Sequence, residues 1–322
     1  MKGGDAAPAG KAVVLVGPTA SGKSDMGCAL ARRFGGWILS VDSMAVYRGL
    51  DIGTSKPAPE VRSAIPHRGL DLADPAEGFS LGDFIRAADA ALAEMRSRRA
   101  LPILVAGTGL YLRGVLKGVA ALPRRDVAFR RRMLERERIE GPGTLHRLLE
   151  EADPPSARRI SPADLQRLVR ALELGEGGFR DSLAKPGAEW RGSDRFPSVK
   201  VGIRRSREEL ERRIRERLDQ FLARGLLEET RQLLRRVPAS SNAFKALGYR
   251  ELVDHLQGRC DLETARRETV RNTLRYAKRQ MTWFRKEPGV RWFDLTGPAE
   301  SAVSAIGDHV EEELGRSLDG AE

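Results

Sequence analysis

Apolar residues follow two rhythms along this chain. Short unbroken runs, bounded by turn residues, occur at Ala12–Val16, Trp37–Val41, Leu101–Ala106 and Ser198–Ile203. Runs of this length, apolar on both parities, are what a strand buried on both faces requires, and they predict a parallel sheet. Val290–Leu295 has the character of a last strand. Between these runs the apolar spacing changes to three and four. In Phe79–Arg96 the residues Leu81, Phe84, Ile85, Ala88, Leu92 and Met95 fall on one side of a predicted helix. The same spacing predicts helices over Asp25–Phe34, Arg207–Arg224, Leu226–Arg236, Phe244–Gln257, Leu262–Lys286 and Ala299–Leu314. Strands alternating with helices in this way indicate an α/β core.

At about Pro123 the texture changes. Arg124–Arg138 is dense in arginine with interspersed acids and has helical spacing, and Gly141-Pro142-Gly143 breaks it. Thr144–Ala152 and Pro162–Leu174 predict two more helices, and Gly175–Pro197, rich in Gly, Ser and charge, predicts an exposed connection. No strand pattern occurs in this block. The chain therefore divides into a core of residues 12–122 and 198–316 and an inserted helical domain of residues 123–197.

The chemistry centres on Gly17-Pro18-Thr19-Ala20-Ser21-Gly22-Lys23-Ser24, between the first strand and the first helix. Strand, glycine-rich loop and helix in that order form a phosphate-binding loop of the GxxxxGK[ST] kind. Its glycines let successive N–H groups point at an anion, the helix N-terminus adds its dipole, Lys23 adds a full charge and the Ser24 hydroxyl suits a Mg²⁺ ligand. The loop specifies a di- or triphosphate, not a nucleotide. Asp42 ends the second strand, where ligands of open α/β sheets gather. It can serve as a Mg²⁺ ligand, a general base or a cap for the following turn. The loop from Met44 to Pro57 is long for a simple connection, which points to function.

Composition narrows the setting. The chain of 322 residues has 56 Lys and Arg against 45 Asp and Glu, a formal charge of +11. An excess of that size suits a protein that handles nucleic acid, although an arginine-rich composition alone also produces it. Gln166, Arg167 and Arg170 share a helix face that could meet exposed bases and phosphates, or only solvent. Arg213 and Arg217, one helical turn apart, could reach a pyrophosphate or pair with nearby glutamates. Arg271–Arg285 mixes cations with Tyr276, Trp283 and Phe284, so its apolar side predicts core and its cations could contact phosphate. No apolar run approaches the length of a membrane span. Met1–Lys11 predicts a loose tail without a signal-peptide core. Cys28 and Cys260, without metal spacing, suit buried thiols in a reducing cytoplasm, and with four histidines they argue against structural zinc.

Several further stretches go beyond a generic phosphate loop. They are Asp42-Ser43-Met44 with Val46-Tyr47, Gly49–Thr54 with Lys56-Pro57, and Gly107-Thr108-Gly109-Leu110-Tyr111. Others are Gln166-Arg167 with Arg170–Glu173, Gly248–Leu252, and Ala277–Gln280 with Thr282–Arg285. With Gly17–Ser24, and in this order, they make the chain resemble the bacterial tRNA dimethylallyltransferases. The resemblance implies a P-loop NTPase-like α/β core with a parallel sheet and an inserted all-helical tRNA-binding domain. It implies transfer of a dimethylallyl group from dimethylallyl diphosphate to N6 of the adenine beside the anticodon of tRNA, with Mg²⁺, in a cytoplasmic monomer. By position, Asp42 and Thr108 fall at catalytic places, Asp42 as the base. Thr108 and Arg130 resemble tRNA-contact sites, and Asp42, Ser43, Met44 and Ala45 with Gln166, Arg167, Leu168, Val169 and Arg170 resemble the RNA-recognition regions. The chain departs from the family where Ala45 stands for a usual Gln, Arg68-Gly69 for His-Leu and Ala106 for a frequent Gly, and in Gly175–Arg180.

The residues suit that chemistry. Diphosphate leaves readily once its charge is neutralised, which loop N–H groups, Lys23 and Mg²⁺ on Ser24 could do. An alkylated N6 becomes acidic, and a carboxylate ionised at neutral pH can accept its proton. The adenine must leave its stack first. A small-molecule P-loop kinase would also use the loop and Asp42, but would not need the arginine-rich insertion. An RNA-binding NTPase would turn over ATP, and prenylation of free adenylate would need no tRNA grip.

Overall fold

The computed structural model describes residues 10–119, 126–178, 193–296 and 299–315. The predicted tail before residue 10, the start of the arginine-rich helix at 124–125 and most of the connection after 178 lie outside the described residues.

The chain opens with β1 (Ala12–Val16), α1 (Lys23–Phe34) and β2 (Trp37–Val41), followed by α2 (Pro59–Ala64) and β3 (His67–Arg68). Next come α3 (Leu81–Ser97), β4 (Pro102–Ala106) and α4 (Gly109–Lys117). A strand-free stretch holds α5 (Val127–Glu140), α6 (Thr144–Ala152), α7 (Pro154–Ala157) and α8 (Leu165–Glu176). The chain then returns with β5 (Ser198–Arg204), α9 (Arg207–Ala223), α10 (Leu226–Leu234), α11 (Tyr249–Leu256), α12 (Leu262–Phe284), β6 (Val290–Asp294) and α13 (Ala299–Gly315).

The strands form one parallel sheet in the order β3-β2-β4-β1-β5-β6. β1 is central, with Val13 opposite both Ile103 of β4 and Val199 of β5. Alternate side chains point to opposite faces, and each face carries its own core. Val14, Val16, Leu39, Val41 and Leu104 pack with Phe84 and Met95 of α3, Leu112 and Leu116 of α4, Tyr249 of α11 and Phe284 of α12. Val13, Leu15, Ile38, Ile103 and Val201 pack with Met26 and Leu30 of α1 and Ile306 and Val310 of α13. Helices on both sides explain why the strand runs are apolar on both parities. Leu15 and Leu104 are fully buried, and truncating either to alanine costs about 2–5 kcal/mol.

Several boundaries differ from the sequence pattern, for local reasons. α3 starts after Ser80 because Ser80 accepts from the Asp83 N–H while the Asp83 carboxylate accepts from the Ser80 N–H at 2.9 Å. The stretch predicted as one helix from Phe244 is a 3₁₀ turn, Asn242–Lys245, followed by α11. Gly248, at φ +90°, separates them, and its N–H donates to Glu251 at 2.9 Å. β3 escapes the pattern because it is two residues long, and α2 because it buries none of its residues.

The structure divides into two compact units, residues 1–116 with 195–322, and residues 117–194. The second unit starts at Lys117, before the change in texture at Pro123, and Lys117 and Asp194 pair at 3.5 Å across its ends. Its core gathers Phe129, Leu145, Leu149, Ile160, Leu168 and Val169 from α5, α6 and α8 and the turn before α8.

Candidate active site

The phosphate loop bends away from β1 at Gly17, where a β-carbon would sit 2.5 Å from the Ile203 carbonyl oxygen of β5. Only glycine allows that approach. Ala20 (φ +63°) and Gly22 (φ +98°) complete the turn into α1, and a left-handed alanine costs roughly 1 kcal/mol or more. Arginines at and before α9 hold that turn. Arg213 Nε donates to the Ala20 carbonyl at 2.8 Å, Arg217 donates to Thr19 Oγ1 at 2.6 Å, and Arg205 Nε donates to the Ser21 carbonyl at 3.0 Å. Lys23 is buried and its Nζ donates to the Pro18 carbonyl at 2.6 Å. Burial, then the Arg217 charge, lowers the Lys23 pKa to about 7, against the pull of Asp42. Burial and the Arg213 charge lower Arg217 to about 10. The Ser24 residue is exposed at the start of α1.

The second wall follows β2 and β4. Asp42 Oδ1 accepts from the Met44 N–H at 2.8 Å and the Ala45 N–H at 3.2 Å. One carboxylate oxygen therefore caps the turn, as one sequence reading expects. The other, Oδ2, lies so close to Gly107 that a β-carbon there would come within 2.4 Å of it. Thr108 Oγ1 accepts from the Ser43 N–H at 3.0 Å and donates to Ser43 Oγ at 3.2 Å. The Gly107 and Thr108 N–H groups both donate to the Val41 carbonyl, so the β4 loop is tied to the end of β2. From α12, Tyr276 OH and Gln280 Nε2 donate to the Gly107 carbonyl at 2.9 and 2.7 Å. Burial and the Asp42 charge raise the Tyr276 pKa, so its hydroxyl stays protonated as a donor. Ala45 is buried, and only its N–H serves the Asp42 turn.

In the helical unit the expected RNA-facing residues separate. Gln166 and Arg167 are exposed, Arg167 near Asp164 at 3.5 Å. Arg170 and Arg130 both pair with the buried Glu173, at 2.6 and 3.3 Å, and Glu173 also accepts from the Asp126 N–H at 2.6 Å. Leu168 and Val169 are fully buried core residues. Their side chains cannot reach a ligand, because on α8 they share the inward face with Leu165 and Leu172.

Sequence reasoning left three groups unplaced. Arg205 sits outside the helical pattern that singled out Arg213 and Arg217. Gln280 and Tyr276 reach the site over more than a hundred residues of chain, which no local spacing reveals. The third is a cavity of about 630 Å³ lined by Arg113, Arg275, Lys278, Arg279 and Lys286 with Thr282 and Trp283. Arg113 stacks over Trp283 at 4.6 Å. Among the described residues no group of three or more His, Cys, Asp or Glu could hold a metal ion, and no helix is long and apolar enough to cross a membrane. A Mg²⁺ site does not require such a group, since this ion keeps several waters and binds through one or two protein oxygens and substrate phosphates. An exposed serine beside a phosphate loop fits that donor set.

Four cations around one loop, with a carboxylate at the adjacent strand end, can neutralise a leaving polyphosphate and take up a proton. Residues 45–287 match the family model described as IPP transferase. The chain is 42% identical over 299 residues to the tRNA dimethylallyltransferase of Geobacillus kaustophilus, covering 91% of this chain and 93% of the relative. It is 46% identical over 287 residues to that of Symbiobacterium thermophilum, covering 89% and 90%. The crystal structure of the full-length tRNA isopentenylpyrophosphate transferase of Bacillus halodurans superposes with a TM-score of 0.72 at 35% identity, covering 96% of this chain and 98% of that one.

Proposed function

Since this chain belongs to the IPP transferase family, the tRNA dimethylallyltransferases, and transfers a dimethylallyl group to a tRNA adenine near the anticodon, we propose a division of labour among its residues. The diphosphate of dimethylallyl diphosphate lies on Gly17–Ser24. Lys23, Arg213 and Arg217 surround it, and loop N–H groups bind its oxygens. Ser24 would hold a Mg²⁺, which would supply charge neutralisation for the leaving group. Asp42 accepts the proton from the adenine N6 through its Oδ2, while its Oδ1 keeps the turn folded. Thr108 and Ser43 fix the wall against which the adenine is held.

The observation that carries this reading is electrostatic. Lys23, Arg205, Arg213 and Arg217 converge on one loop, and Asp42 is the acid whose charge acts on Lys23. The leaving-group site and the proton acceptor are therefore within electrostatic reach of each other. Arg130, Gln166, Arg167 and Arg170 bind phosphates and splayed bases of the anticodon stem-loop, and the cations along α12 add further phosphate contacts. This mass of arginine is what a small-molecule kinase would not need.

The test is transfer of label from dimethylallyl diphosphate, or from ATP, with and without tRNA. Prenyl label reaching tRNA but not free adenylate, with no transfer from ATP, supports the reading. Label moving from ATP to a small molecule, or equal prenylation of free adenylate, would overturn it.

A further inference from the structure

The two loops that carry the proposed chemistry come from different strands, and one side chain bonds to both. Gln280 of α12 is 5% exposed. Its Oε1 accepts from the Thr19 N–H of the phosphate loop at 2.7 Å. Its Nε2 donates to the Gly107 carbonyl of the β4 loop, also at 2.7 Å. The two ends need opposite hydrogen-bonding senses, which a neutral amide supplies without adding charge. Gly107 in turn lies against Asp42 Oδ2, where a β-carbon would come within 2.4 Å. A line of contact runs from Thr19 through Gln280 and Gly107 to Asp42. Tyr276 donates to the Gly107 carbonyl at 2.9 Å and also bonds to Thr108 and to Gln280 itself, but not to the Thr19 end.

We propose that Gln280 is a positioning residue that sets the separation between the diphosphate loop and the Asp42 carboxylate, with Tyr276 supporting the second of these. The proposal rests on the assignment of these loops as the site. β1 and β4 are hydrogen-bonded neighbours, but their ladder ends at Val16 and Ala106. Beyond it, nothing in the sheet fixes one loop against the other, and the buried amide replaces the missing ladder bonds. The allylic carbon must meet the adenine while its diphosphate is held on one loop and the proton acceptor on the other. A displacement of about 1 Å in such an arrangement can cost about 10²-fold in rate.

The test uses the full chain and its two substrates, with Gln280→Met, Tyr276→Phe and Lys23→Ala measured beside the wild type by transfer kinetics and thermal melts. Gln280→Met keeps the length of the side chain and removes both bonds, whereas Tyr276→Phe removes the hydroxyl that meets Gly107, Thr108 and Gln280 and leaves the Gln280–Thr19 bond in place. For Gln280→Met, kcat should fall by about 10–100-fold, and KM for dimethylallyl diphosphate should rise because the Thr19 end is released. Tyr276→Phe should lower kcat by a smaller factor and leave that KM unchanged. A purely structural role would lower the melting temperature and the active fraction without splitting the two KM values. The proposal is overturned if Gln280→Met keeps its kcat, or if both variants lose rate only in proportion to unfolded protein. Should Gln280→Met fail to fold, an unchanged kcat in Tyr276→Phe overturns it equally. Full transfer by Lys23→Ala would overturn the site assignment itself, whereas an inactive Lys23→Ala beside a fully active Gln280→Met removes the strut alone.

Discussion

The arginines around the phosphate loop and those of the helical unit are used in opposite ways. Arg213 and Arg217 spend their hydrogen bonds on loop backbone and hydroxyl oxygens. In the helical unit, Arg130 and Arg170 share the buried Glu173, Arg136 pairs with Glu140, and Arg138 with Glu135. Burial depresses Lys23 and Arg217, and a like charge beside each lowers it further, Arg217 for Lys23 and Arg213 for Arg217. A diphosphate bound as proposed would relieve this. An RNA phosphate bound at the helical unit as proposed would instead compete with carboxylates already in place. On the proposed assignment the first region would serve one strong anion and the second many weak contacts that depend on salt.

The largest test of that contrast concerns the base. Asp42→Asn keeps the Oδ1-type acceptor for the Met44 and Ala45 N–H groups but removes the proton acceptor, and single-turnover transfer should fall by about 10²–10⁴-fold. Both substrates should still bind. A Mg²⁺ titration separates the roles, because rate restored at high Mg²⁺ would reassign Asp42 to the metal. Next, Lys23→Ala should lower kcat by about 10²–10³-fold, the range for losing one preorganised charge-stabilising donor, with a native melt and unchanged tRNA binding.

A pH titration sharpens the same side of the comparison. Free Lys23 has its pKa lowered to about 7, and bound diphosphate stabilises the ammonium and raises that value. Below pH 7 the cation is already present and affinity is full. As pH rises above 7 the free protein loses the proton that binding must restore, so affinity falls, by at most about tenfold per pH unit. Calorimetry in buffers of different ionisation enthalpy should detect proton uptake, and Lys23→Arg should abolish both effects. An affinity independent of pH between 7 and 9 would break the link between crowding and anion binding.

The smallest effects are expected in the helical unit. Arg167→Glu should weaken tRNA binding uniformly and reduce the slope of log affinity against log salt by about 1, leaving KM for dimethylallyl diphosphate intact. Reversal at Arg130 should cost more, since Glu173 would then face a like charge. A filter-binding series over salt reads both. Salt-independent affinity would show that this surface does not meet RNA phosphates.

The sequence alone determined the sheet and its chemistry-bearing loops. Unbroken Val-, Ile- and Leu-rich runs can only be buried on both faces, so β1, β2, β4 and β5 were legible within a residue or so at each end. The glycine, lysine and serine spacing of Gly17–Ser24 specified a phosphate loop because those residues act through backbone local to them. Asp42 was legible as a strand-end carboxylate, with cap, base and metal roles left open. The fold decided what distance in sequence conceals. Burial of Leu168 and Val169 depends on which face of α8 meets α5 and α6, and a motif string carries no inside or outside. Arg205 and Gln280 acquire their partners only when the turn after β5 and the helix α12 reach the loops after β1 and β4, since a hydrogen bond needs an approach of about 3 Å and spacing along the chain does not record it. Tertiary packing also decided the surroundings of Asp42. Its two oxygens meet different neighbours, the Met44–Ala45 turn on one side and Gly107 on the other.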